Sequence, residues 1–135
     1  MTLIQCGCGA VEIEVKGEPL LQYVCHCDDC QTACGNAFSS SLYPAQSVSV
    51  KRGETDKFTV RISPRAKCKS CGTFLFAEVP GQEIVGVNSE LLPENMFSPA
   101  FHSQCVYTKV PIDDDLPHYK RTPALFGGSD ELMDW

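Results

Sequence analysis

Nine cysteines fall in an order that narrows what this chain can fold into: Cys6-x-Cys8, Cys25-x-Cys27-x₂-Cys30, Cys34, Cys68-x₂-Cys71 and, apart from the rest, Cys105. A disulfide framework is a poor reading of that order. The count is odd, and a bridge within Cys6-Gly7-Cys8 would close a strained ring, because bridged Cα atoms lie about 4.4–6.8 Å apart in a specific orientation. The first residues, MTLIQCGCGA, have neither the basic region nor the apolar run of an export signal. A cytoplasmic setting is therefore expected, where thiols stay reduced. Cysteines one or two residues apart then point to metal, and above all to zinc, which takes thiolates in a tetrahedron.

The segment Cys68-Lys69-Ser70-Cys71-Gly72 has the form of a zinc knuckle, with a glycine able to take positive φ directly after the second sulfur. Cys6-Gly7-Cys8-Gly9 places glycines where the backbone must pass close to metal-bound sulfur. Spacing allows two partitions. Either Cys6, Cys8, Cys68 and Cys71 make one four-sulfur site and Cys25, Cys27 and Cys30 a second group, or the trio shares the first site and strands a pair.

Between the cysteines the pattern is mainly β. Residues 10–15, AVEIEV, alternate apolar and acidic side chains as a half-buried strand does. Strand-like runs follow at Leu20–Val24, Ala37–Tyr43, Ser47–Val50, Lys57–Ile62, Phe74–Val79 and Glu83–Val87, separated by glycine- and proline-rich turns. Such short strands predict layered antiparallel sheets with little helix. Helical turns are expected only at DDCQTAC, with Asp28 or Asp29 as N-cap, and at SELLPENM. Cys105 falls in an apparent strand, SQCVYTKV. Phe38, Phe74 and Phe76 read as sheet core. The length of 135 residues suits one domain, here residues 1–122 followed by a tail, 123–135, draped on the body or loosely held.

Net charge −6, with eleven basic residues spread along the chain, excludes the basic patch a nucleic-acid partner needs. No run approaches the roughly 20 apolar residues that span a bilayer. The acidic run Asp113–Asp115 reads as a solvated loop.

The ordered cysteines, with VCHCDDCQTACGNAF, CKSCGTFLF and VGVNSELL, resemble the glutathione-dependent formaldehyde-activating enzyme family over residues 3–122. The resemblance implies a β-tent fold. It implies a structural zinc on Cys6, Cys8, Cys68 and Cys71 and a second, catalytic zinc on Cys25, Cys27 and Cys30, two Zn²⁺ per chain. It also implies a carbon–sulfur lyase reaction joining a low-molecular-weight thiol such as glutathione to a small aldehyde such as formaldehyde, or the reverse. The alternative from another class is a non-catalytic module whose two zincs hold the fold while its surface binds a partner.

Cys34 separates these readings. The family usually has a small hydroxyl residue there; a cysteine one helical turn after Cys30 is a small buried thiol, a fourth ligand that closes the second site, or a reactive thiol. His26, between two ligands, points away from the metal and lines its approach, where it can carry protons near neutral pH. His102 matches a family histidine and is either a pocket residue on that resemblance or a satisfied core histidine, while Lys109 reads first as a solvated lysine and otherwise as one placed to meet a substrate carboxylate. His118 receives no role.

Overall fold

Alternation of the kind seen in AVEIEV resolves into paired strands, and the computed structural model describes residues 1–135. A three-stranded sheet holds β1 (Thr2–Gln5), β2 (Glu12–Val15) and β5 (Val48–Arg52) in the order β1-β2-β5. The seven-stranded sheet is built from β3 (Leu21–Cys25), β4 (Phe38–Pro44), β6 (Thr55–Val60), β7 (Ser63–Cys68), β8 (Phe74–Glu78), β9 (Ile84–Asn88) and β10 (His102–Ser103). Its order is β10-β3-β4-β9-β8-β7-β6. Every pairing is antiparallel except β10 with β3, where His102 lies opposite Val24 and Ser103 opposite Cys25.

The main core is apolar: Ile13 and Val15 from the small sheet, with Val11 just before β2, meet Tyr43, Leu75, Val85 and Val87 from the large one, and Cys6 and Cys68 are packed with them. A second, smaller cluster joins Cys30, Phe38, Phe74 and Ala77, with Cys25, Cys27 and Cys34 packed against it. Phe74 and Ala77 are three residues apart on β8, a spacing that would send them to opposite faces of a regular strand. A register shift between Ala66 and Lys67 on the paired β7 lets both reach the same cluster.

The helix α1 covers Asp28–Cys34, but neither Asp28 nor Asp29 is its N-cap. Cys27 is, its sulfur accepting from the Cys30 N–H at 3.1 Å. The aspartates sit in the first turn and pair with Arg61 at 3.0 and 3.1 Å. Gly35, at φ 76°, ends the helix. Ser89–Leu91 forms the expected short turn. Cys105 is not in a strand: Cys105–Tyr107 is a 3₁₀ turn entered through Gln104 at φ 59°. Cys105 is nonetheless fully buried. Residues 123–135 lie on the body. Phe126 packs on Tyr23 and Phe101, Leu132 bridges to Tyr119, and Trp135 packs on His118. No helix is long and apolar enough to cross a membrane.

Candidate metal centres

The β1–β2 and β7–β8 connections are built alike. A cysteine directly after β1 and one at the end of β7 close the loops through their backbone N–H groups, Cys6 onto Val11 O at 3.1 Å and Cys68 onto Thr73 O at 2.9 Å. Each loop turns through a positive-φ glycine, Gly9 at 78° and Gly72 at 76°. Backbone N–H groups then point at sulfur, from Val11 to Cys6 at 3.3 Å and from Cys71 to Cys68 at 3.4 Å. The Gly7 N–H donates to Thr73 Oγ1 at 3.0 Å and locks one loop to the other. The result is a group in which the sulfurs of Cys6, Cys8, Cys68 and Cys71 all lie within 4.8 Å of one another.

A zinc tetrahedron tests that group. With Zn–S near 2.3 Å, neighbouring sulfurs should stand about 3.8 Å apart. The distances Cys6–Cys8 and Cys8–Cys68 are 3.6 and 3.9 Å. The donor set and its spacing fit zinc. Hydrogen bonds from the Thr73 side chain and then its backbone hold Cys71 down at about 5, so this sulfur enters the group as thiolate.

The trio of Cys25, Cys27 and Cys30 forms a second group within the same 4.8 Å limit. The partition that spacing left open is thus pair with pair, and trio by itself. Here the sequence is local: Cys25 ends β3, Cys27 caps α1 and Cys30 lies in its first turn. Hydrogen bonds from Cys27, Cys30 and Ser103 hold the Cys25 thiol well below its usual range, while the thiols of Cys27 and Cys30 are pushed up, first by Cys25. Three like-charged sulfurs cannot all ionise together without a cation among them. Zinc fits that donor set too. The sulfur of Cys34 is not among those gathered there; its thiol packs against the Phe38 and Phe74 cluster, and burial raises it to about 11.

His26 begins a chain of side chains that the sequence did not reveal. Its Nε2 lies 2.8 Å from His102 Nδ1, His102 Nε2 lies 2.7 Å from Asp114 Oδ2, and His118 Nε2 lies 2.6 Å from Asp114 Oδ1. Burial, then the neighbouring His102, lowers His26 to about 4, so its imidazole is neutral at pH 7 and does not titrate near neutral pH as its position in the sequence suggests. Burial works against ionised Asp114, but hydrogen bonds from His118 and His102 overcome it and hold the acid at about 2. Asp114 is therefore an anchored carboxylate, not simply part of a solvated acidic loop. His118, given no role above, is its partner. The i, i+4 spacing of Asp114 and His118 was the one available signal.

Two cavities lie near the trio, and only the second touches its cysteines. One, of about 200 Å³, is lined by His26, Gln31, Asn36, Thr108 and Lys109 among others. The other, of about 130 Å³, meets Cys25 and Cys30 directly.

Comparison with known proteins agrees with this geometry. The family described as "Glutathione-dependent formaldehyde-activating enzyme" matches residues 1–108. A crystal structure of a Rhodobacter sphaeroides protein is similar at 26% sequence identity and a TM-score of 0.55, covering 69% of this chain and 89% of that one. Among curated proteins, none matches significantly. With four-fifths of its length matched, the chain belongs to the glutathione-dependent formaldehyde-activating enzyme family.

Proposed function

We propose that the chain binds two zinc ions, a structural one on Cys6, Cys8, Cys68 and Cys71 and a reactive one on Cys25, Cys27 and Cys30. At the second it adds a low-molecular-weight thiol such as glutathione to a small aldehyde such as formaldehyde, or reverses that addition, as a carbon–sulfur lyase. The observation that carries the reading is the trio itself: three sulfurs gathered, a fourth cysteine one turn away left out, and a cavity that meets two of the three. Zinc held by three thiolates would supply acidification of an incoming thiol at a free coordination position.

The protein's own side chains account for the rest. The larger, polar cavity suits a peptide thiol, with Lys109 facing one of its carboxylates. The Asp114 carboxylate can only accept, so His102 carries its proton on Nε2 and accepts at Nδ1 from the Nε2–H of His26. That leaves the lone pair on His26 Nδ1 to receive the thiol proton. As the S–C bond forms, the C=O π pair moves to oxygen, and the same proton is returned there. One thiol and one aldehyde give one hydroxymethyl thioether, with no net change in protons.

The test is the rate of S-hydroxymethylglutathione formation from glutathione and formaldehyde, followed by NMR with zinc-loaded protein. Acceleration that disappears in Cys27→Ser, with the first metal retained, supports the assignment. A loaded protein that neither binds glutathione nor alters the rate ends it and leaves the structural module as the reading.

A further inference from the structure

The smaller cavity beside the trio contains an unexplained buried cation. Arg65, 5% exposed, lines it together with Cys25, Cys30, Ser40 and Gly86. The Arg65 Nε has no hydrogen-bond partner, and the terminal nitrogens find only the Cys30 sulfur, at 3.9 and 4.0 Å. Phe74 covers the guanidinium from 5.9 Å. The Ser40 hydroxyl, 1% exposed, is also without a partner at hydrogen-bonding distance, although Tyr23 is near. Buried polar groups are almost always paired, and one left without a partner calls for an explanation. Here two of them line one cavity.

The cavity floor is kept open by sequence. A Cβ on Gly86 would stand 2.8 Å from Ser40 Oγ and 3.5 Å from the Phe38 ring. The space, about 130 Å³, equals the liquid volume of about four waters. It holds a molecule of two or three carbons, and a whole peptide thiol does not fit inside it. A guanidinium offers a planar fork of donors matched to a carboxylate, and its charge offsets the thiolates that would otherwise repel an anion. Exposed Glu78 at the rim disfavours a second negative charge on the same ligand.

We propose that Arg65, assisted by Ser40, is a carboxylate subsite, so that the carbonyl substrate held against the trio is a short oxo acid bearing an aldehyde. This rests on the thiol-addition reading above. Sulfur bonds to the aldehyde carbon, the π pair moves to oxygen and takes the thiol proton, and the carboxylate stays unchanged on Arg65. The product is a 2-hydroxy-2-thio acid.

Calorimetric titration of the zinc-loaded chain with glyoxylate, and with glycolaldehyde as the two-carbon aldehyde lacking the charge, tests the proposal. A charge-assisted pair predicts glyoxylate binding about ten-fold tighter or more. Arg65→Met should erase that preference, Arg65→Lys should keep part of it, and Ser40→Ala should weaken glyoxylate by a few-fold. Equal affinity for the two aldehydes in the natural protein, or a preference that survives Arg65→Met, overturns it. If Arg65→Met loses metal or melts early, Arg65→Lys decides: a reduced preference supports the subsite and an unchanged one overturns it. Glutathione–formaldehyde adduct formation, measured on the same samples, separates the two claims. Glyoxylate preference without adduct formation leaves the subsite standing and removes the reaction. Adduct formation without the preference does the opposite.

Discussion

The two cysteine groups present the same sulfur donors in opposite settings. Cys6 and Cys8 meet Cys68 and Cys71 across some sixty residues of chain, joining the small sheet to the large one at the edge of the main core. The trio spans six residues at the end of one strand and the start of one helix, so it ties together almost nothing that the backbone has not already joined. Closing a long loop constrains the unfolded chain; closing a short one does so much less. A metal at the first group therefore acts mainly on folding. One at the second is free to serve chemistry, and the groups around it differ accordingly: a buried arginine, a neutral histidine and two cavities, none of which flanks the four-sulfur group.

The most severe test of this contrast is to break one ligand in each group. Metal binding is worth about 10–16 kcal/mol in zinc-finger peptides, and whole domains are stable by about 5–15 kcal/mol. Cys68→Ser, at a site 1% exposed, should leave no cooperatively folded protein at room temperature. Cys27→Ser should stay folded and carry one metal fewer. Thermal melts followed by circular dichroism, with native mass spectrometry for metal content, read both; equal loss in the two variants would erase the distinction. Next in size is selective removal. A mild chelator should take one metal per chain and leave the melt mostly intact, and two metals that resist together would make both groups structural. A smaller effect is expected at Cys34. With its sulfur outside the trio, Cys34→Ser should keep full metal content and shift stability by about 1 kcal/mol. Loss of one metal in that variant would show that Cys34 closes the site.

The same contrast governs how much could be read from sequence. The two knuckles were legible because C-x-C-G and C-x₂-C-G each encode their own turn, and seven strands were legible from their apolar and β-branched patterning. Strand β7 was not: Ser63-Pro64-Arg65 looks like a turn, and only the paired neighbours β6 and β8 make it a strand. Asp28 and Asp29 looked like caps by residue type, but the Cys27 sulfur already occupies that role. Cys105 was misplaced in a strand because Val106 and Thr108 are β-branched, whereas the chain turns there through the left-handed Gln104. Around the trio, Arg65, His102, Asp114 and His118 come from distant segments. Each of them alone is an ordinary charged or polar residue, and only the folded sheet brings them together.

The smallest predicted effect concerns the His–Asp chain that distinguishes the trio's surroundings. Asp114 is held at about 2, against an ordinary value of 3.8, by the two imidazoles. A carboxyl whose folded-state value is depressed contributes stability that is fully present above its unfolded value and is lost as pH falls through the folded one. The natural protein should therefore exceed Asp114→Asn in stability by a constant margin at mildly acidic and neutral pH. That margin should narrow as pH drops from about 4 toward about 2. The metal of the four-sulfur group leaves as its thiolates protonate, so the margin is read where the fold persists: urea midpoints for the two zinc-loaded proteins should differ by the same amount at about pH 7 and about pH 5. The Asp114 side chain is 37% exposed, so solvent screening keeps the margin small. A margin that is absent, or that already shrinks between those two values, would mean that the imidazoles do not hold an ionised Asp114. The tautomer assigned to His102, and with it the lone pair on His26 Nδ1, would then lose its support.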